Sequence, residues 1–191
     1  SANVQTRAIR DGDHYVLNGT KRYITNANKA DLFTVMARSD PSKAGAGGVS
    51  AFLVERNLPG LSVGKPEKKM GQQGAHVCDV IFDNVRVPVE NRIGAEGEGF
   101  KVAMQVLDKG RLHISALCVG VAERLITDCV AYATERKQFG QPLTGFQLVQ
   151  GMIADCKTEA LAAKALTMET ARRRDAGQNV TMEGAAAKYF A

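Results

Sequence analysis

Tyr23, Ile24 and Thr25 set an aromatic ring and a hydroxyl two residues apart. In an extended strand such a pair shares one face and could touch a single planar ligand. All three residue types also favour β structure, so an ordinary strand is the competing reading. Asp108 and Arg111 stand three apart, a spacing that on a helix puts a carboxylate and a guanidinium on one face. That arrangement serves either as an intrahelical ion pair or as a planar fork for an anionic ligand. Arg136, Gln138 and Phe139 fall where a helical pattern gives out. Taken alone, Arg136 suits a helix C-terminus and Phe139 reads as a plug on the core. Gly97-Glu98-Gly99 lacks the third glycine of a phosphate-cradling turn and follows no buried parallel strand, which rejects a Rossmann site. His14, His76 and His113 have no metal-ligand spacing, so no metal is expected. Cys78, Cys118, Cys129 and Cys156 form no C-x-x-C pair and read as buried structural thiols in a reducing compartment.

The elements that must carry these residues change character near residue 99. Residues 1–99 hold 12 of the 19 glycines and 4 of the 5 prolines, whereas 100–191 hold 16 alanines, mostly at helical spacing. A β-then-α order follows. Asp11-Gly12-Asp13 separates Val4–Arg10 from His14–Asn18 as a hairpin, and Asn18-Gly19 reads as a second turn before a short strand over Lys21–Thr25. Leu32–Arg38, Ala51–Glu55, Leu61–Val63, Val77–Phe82 and Val85–Val87 bring the count to about eight strands. Beyond them, Ala103, Val106, Leu107, Ile114, Leu117, Val121 and Leu125 keep helical spacing and predict a helix from about Gly99 to Arg136. Phe146, Val149, Ile153, Cys156, Ala160 and Ala163 form the next stripe, stopping near Gly177, and a third helix begins around Thr181. The expected fold class is α+β, with a small antiparallel barrel or sandwich over 1–98 and an incomplete helical bundle over 99–191.

The composition, 45% hydrophobic and 24% charged, suits a globular core and excludes a disordered chain. No apolar run approaches the ~20 residues that span a bilayer, and the first ten residues lack signal-peptide character. A formal charge of +5 is compatible with polyanionic small molecules such as nucleotides and coenzymes. Glu183–Ala191 carries no glycine cap or breaker, and Val4 enters a strand directly, so the chain is expected to be a fragment whose helices need further helices or a partner subunit.

Seven motifs in order tie these features together: Lys21-Arg22-Tyr23-Ile24-Thr25-Asn26; Met70-Gly71; Phe82-x-x-Val85-x-Val87-Pro88; Gly97-x-Gly99-Phe100; Leu107-Asp108-x-x-Arg111; Glu135-Arg136-x-x-Phe139-Gly140; and Phe146-Gln147. Their order resembles the acyl-CoA dehydrogenase family over nearly the whole chain. The resemblance implies the family's central β domain followed by the first part of its C-terminal helical domain. It implies FAD as cofactor, with Tyr23, Ile24 and Thr25 against the flavin, the Thr25 hydroxyl donating near N5 and Tyr23 covering the ring's edge. It implies that Asp108 and Arg111 line the acyl-CoA site. It further implies a homo-oligomer, a homotetramer or a dimer, in which Arg136 reaches the pyrophosphate and Phe139 the adenine of a neighbouring subunit's FAD, helped by Gln138 and Gln147. The implied activity is α,β-dehydrogenation of an acyl-CoA thioester in fatty acid metabolism, with electrons passed to an electron-transfer flavoprotein. The implied compartment is the cytoplasm, or the mitochondrial matrix in a eukaryote.

The sequence departs from the family's pattern in three respects, the first being that the Gly- and Ser-rich flavin loop of the family would lie just before Ser1. Gln73, Ala75 and Val77 stand where the family often has Arg, Ser and Thr. The carboxylate base is missing as well. One branch of the family places it at the position of Gly110, and most members place it in a later segment, beyond Ala191. Glu123, Glu135 and Glu159 read as solvated helix residues, so this polypeptide alone is expected not to turn over substrate. The alternatives are an oxidase on the same scaffold, a flavoprotein homologue that binds nucleic acid, supported only by the charge and Arg172-Arg173-Arg174, and a non-catalytic interaction module.

Overall fold

A computed structural model describes residues 3–191, which divide into two compact units, one reaching to Met104 and the other spanning Gln105–Ala191. The first two positions of the expected β domain lie outside the described residues.

The first unit is built on one seven-stranded sheet: β1 (Arg7–Asp11), β2 (His14–Thr25), β3 (Leu32–Arg38), β4 (Val49–Glu55), β5 (Leu61–Val63), β6 (Val77–Pro88) and β7 (Arg92–Ile93), in the order β5-β6-β2-β1-β3-β4-β7. The α+β order holds, but the sheet is single and open, with β5 and β7 at its edges and one parallel pairing, β1 with β3. Gly12, at φ +61°, supplies the positive φ of the two-residue β1–β2 hairpin, as its Gly-Asp turn requires. Two expected breaks are irregularities inside continuous strands. Asn18-Gly19 does not end β2, and Asp83-Asn84 does not split β6. The register instead steps from Leu17↔Val85 to Gly19↔Phe82, and the Asn18 side-chain Oδ1 accepts the Asn84 backbone N–H at 2.9 Å. A side chain that satisfies the orphaned backbone donor lets both strands run through the bulge.

The core of this unit packs Tyr15, Leu17, Phe33, Val35, Phe52, Val54, Val80, Phe82, Val85 and Val87. Tyr15 and Phe52 meet at 4.8 Å between ring centroids, tilted by 60°, and the Tyr15 hydroxyl accepts a hydrogen bond from Arg92 Nη1 at 3.0 Å. Cys78 is buried in this core, in line with its expected structural role.

The helices are α1 (Gly99–Glu135), α2 (Gln147–Asp175) and α3 (Thr181–Phe190). In the second unit Leu112, Ser115, Val119 and Ala133 of α1 and Ala160, Ala163, Thr167 and Thr170 of α2 are buried. The stripe expected to face the core, Val106, Leu107, Ile114, Leu117, Val121 and Leu125, is exposed instead. The α1 sequence is apolar on more than one face, so periodicity alone does not choose the covered one. Cys129 and Cys156 are likewise exposed and Cys118 half-buried, contrary to the expectation of buried thiols. All three line an open apolar groove with Val119, Ile153 and Phe190. Among the described residues no helix is long and apolar enough to cross a membrane.

Lys164 of α2 reaches Glu123 of α1 at 2.8 Å, and this hydrogen bond, with the Lys164 charge, holds the Glu123 carboxyl below its ordinary range. A depressed folded-state pKa adds stability above the unfolded value and loses it as pH falls through the folded one. The melting difference between wild type and Glu123→Gln is therefore expected to be present at neutral pH and to fade as pH falls through and below the ordinary carboxylate range. It stays small because the pair is solvated. Thermal melts across that range check it, and an unchanged difference at acid pH would refute the linkage.

Candidate functional site

The first candidate patch lies at the end of β2, where the side-chain alternation changes phase. Up to Lys21 the odd positions face the core, with Tyr15 and Leu17 fully buried. The register against β6 then steps from Lys21↔Val80 to Ile24↔Cys78, so Arg22 and Tyr23 together oppose the single residue Asp79. One extra residue reverses which face each later side chain occupies. Ile24 turns inward, half-buried against the core, while Tyr23 (66% exposed) and Thr25 turn out to solvent. Without this bulge both would point into the hydrophobic core.

Tyr23 takes φ +58°, a left-handed conformation that costs a non-glycine residue about 1 kcal/mol or more. Its ring lies 5.2 Å from the Arg22 guanidinium carbon. Asn26, also left-handed at φ +58°, donates its backbone N–H to the His76 carbonyl oxygen at 2.7 Å and turns the chain away from the sheet. Asn28 Nδ2 lies 2.7 Å from His76 Nδ1, and Asn28 Oδ1 is a buried acceptor with no partner among the described residues. The neighbouring turn is tied by Lys69, whose ammonium donates to the Gln72 carbonyl oxygen at 2.7 Å and to that of Ala75. Burial alone pushes the Lys21 ammonium below its ordinary pKa.

The second patch joins α1 to α3. Arg111 Nη1 donates to Asp108 Oδ1 at 2.5 Å, the intrahelical pair that the spacing allowed. The other carboxylate oxygen accepts the Thr181 hydroxyl from α3 at 3.1 Å. Both charged groups are a little over one-third exposed, so the pair is open to a ligand. Thr181 carried no functional reading in the sequence, because its partner is 73 residues away.

The third patch is the elbow after α1. Strands β8 (Lys137–Gln138) and β9 (Gln141–Pro142) form a miniature hairpin whose central residues, Phe139 and Gly140, have φ +50° and +83°. Two successive positive φ values match the twist of a two-residue hairpin. That turn thrusts Phe139 outward, 93% exposed, so it is no plug on the core. Its ring stands edge-on to Phe146 at 6.4 Å. Arg136, Gln138 and Gln147 are exposed around it, and the Arg136 guanidinium has no partner among the described residues. Between them the patches offer groups of the kind a flavin dinucleotide or an acyl-CoA needs: the exposed rings of Tyr23 and Phe139, the Thr25 hydroxyl and the Arg136 guanidinium. Among the described residues no cluster of His, Cys, Asp or Glu could hold a metal ion.

Residues 1–85 match the family model for the acyl-CoA dehydrogenase middle domain, and 97–191 match that for the C-terminal domain. The chain is 43% identical over 187 residues to the short-chain-specific acyl-CoA dehydrogenase of Clostridium acetobutylicum, covering 98% of this chain and 49% of that protein. It is 42% identical over 191 residues to the caffeyl-CoA reductase-Etf complex subunit CarC of Acetobacterium woodii, covering 100% of this chain and 50% of the relative. The butyryl-CoA dehydrogenase structure from Megasphaera elsdenii superposes with a TM-score of 0.94 at 40% identity, over 99% of this chain and 49% of that one. The chain thus spans about half the length of the curated relatives it matches.

Proposed function

Because this chain belongs to the acyl-CoA dehydrogenase family, we propose that its protein is an FAD-dependent enzyme that dehydrogenates an acyl-CoA thioester between the α and β carbons. The observation that carries this reading is the phase change at Arg22-Tyr23, which presents the Tyr23 ring and the Thr25 hydroxyl together on one solvent face. When bound, FAD supplies the hydride-accepting ring that no amino-acid side chain provides.

The chain's own residues bind and orient. Thr25 Oγ1 donates a hydrogen bond near flavin N5, Tyr23 covers the ring's edge, and Ile24 anchors this stretch to the core. Arg136 forks onto the pyrophosphate and Phe139 lies on the adenine, with Gln138 and Gln147 hydrogen-bonding the same dinucleotide in a neighbouring copy. Asp108 and Arg111 hold the acyl-CoA, and Thr181 fixes their carboxylate. The α proton is assigned to no side chain here. Gly110 offers none, and Glu123 is engaged by Lys164. A homo-oligomer and an electron-transfer flavoprotein complete the proposal. The second follows from likeness to a subunit of an Etf complex.

The test is optical. The full gene product is expected to be yellow, and its flavin absorbance to bleach when an acyl-CoA is added without oxygen. A colourless protein, or a yellow one that no acyl-CoA bleaches, overturns the proposal.

A further inference from the structure

We propose that Arg22 is the positioning residue of Tyr23, a clamp that fixes the ring's orientation before the flavin arrives. The inference rests on the reading of Tyr23 as a flavin-covering residue. Arg22 and Tyr23 are the two residues of the bulge, and Asp79 is the one residue facing them from β6. Arg22 Nε lies 3.3 Å from Asp79 Oδ2 and 3.4 Å from Oδ1, so the bulge is tied across the sheet by its own side chain. Its Nη2 lies 3.8 Å from Glu67 Oε1, and Glu67 is itself held by its backbone N–H to the Val77 carbonyl oxygen at 2.8 Å. With its edge engaged by two carboxylates, the guanidinium sets its carbon 5.2 Å from the centre of the Tyr23 ring.

This arrangement needs a planar cation that can bond along its edge and stack on its face at once, which an ammonium cannot do. It also answers a problem posed by the bulge. Turned out of the core, Tyr23 has lost the packing that would otherwise lock its rotamer. A ring left free would have to be ordered when the ligand binds, and that ordering subtracts from affinity. Arg22 supplies the missing contact from one side and leaves the rest of the ring open, as its 66% exposure records.

The experiment titrates the apo form of the full gene product with FAD, using Arg22→Met, Arg22→Lys, Asp79→Asn, Tyr23→Leu and the double variant Arg22→Met/Tyr23→Leu. Arg22→Met and Asp79→Asn are expected to bind FAD about fivefold more weakly than wild type. Arg22→Lys, which keeps the charge and loses the plane, is expected to recover only part of that. In the Tyr23→Leu background, Arg22→Met is expected to change nothing further, because the clamp then has nothing to hold. A role confined to sheet stability would not show this non-additivity. Wild-type affinity in Arg22→Met, or an undiminished Arg22→Met effect in the Tyr23→Leu background, overturns the inference and leaves the proposed function standing. A wild-type protein that binds no FAD overturns both.

Discussion

Phe52→Ala is expected to destabilise the sheet unit by about 3–5 kcal/mol, the range for removing a fully buried aromatic side chain. Phe52 is completely enclosed at the centre of β4, paired with Val35 on one side and Arg92 on the other. Its ring is the tilted partner of Tyr15, 4.8 Å away, and Tyr15 in turn holds Arg92 through its hydroxyl at 3.0 Å. Truncation therefore opens a cavity and also loosens a buried tyrosine that accepts a hydrogen bond from a cation. Dense interiors relax only partly around such a void. Against a typical total of about 5–15 kcal/mol, the loss is a large fraction of what keeps a domain folded. The expected readout is a fall of about 15 °C or more in the melting temperature of this unit. Leu32→Ala, at a 53% exposed position of β3, serves as the control and is expected to cost no more than about 1 kcal/mol. Equal losses in the two variants would show that the core does not lie where Phe52 and Tyr15 put it.

Arg136→Gln is expected to weaken FAD binding by about 10- to 100-fold. The residue sits where α1 ends, and its backbone is fixed from both sides. Its N–H donates to the Tyr132 carbonyl oxygen at 2.8 Å, and its carbonyl oxygen accepts from the Leu143 N–H at 2.9 Å. The guanidinium is thus exposed on a rigid base. A charge-assisted hydrogen bond to a phosphate contributes about 1.5–3 kcal/mol, and each 1.4 kcal/mol is a factor of ten in affinity. Glutamine keeps a donor and loses the charge, so the residual binding should also depend less on salt. Titration of the apo protein with FAD at two ionic strengths measures both effects. An affinity within twofold of wild type at low salt would remove Arg136 from the cofactor site. This effect should exceed that of Arg22→Met, because in the proposed site Arg136 would meet a phosphate directly whereas Arg22 would act through the Tyr23 ring.

Much of the architecture is legible in the residues, because it is written in local patterns. Helix periodicity located Gly99–Glu135 and Gln147–Asp175 to within a residue or two of the observed bounds, and the start of the third helix at Thr181. Turn chemistry placed the Asp11–His14 hairpin, and the order of short motifs identified the family over almost the full length. Most residues of the three candidate patches were likewise nameable, since their types and spacings lie close together in the chain, whereas Thr181, 73 positions from Asp108, was not. Arg22 was named only as a motif position, with no role.

What only the tertiary structure decided is direction. Whether Tyr23 and Thr25 face core or solvent depends on one extra residue opposite Asp79, a partner more than fifty positions away that no local pattern announces. Asn18-Gly19 has the composition of a turn, yet β2 runs through it because the Asn18 side chain satisfies the Asn84 backbone N–H on the neighbouring strand. Phe139 is outward because two consecutive left-handed residues make a hairpin tip, and a bulky aromatic at positive φ is not foreseeable from propensity. On α1, several faces are apolar, and the covered one is chosen by what α2 and α3 bring against it. Sequence periodicity specifies which residues share a face, whereas register and packing partners, set by distant segments, specify which way that face points.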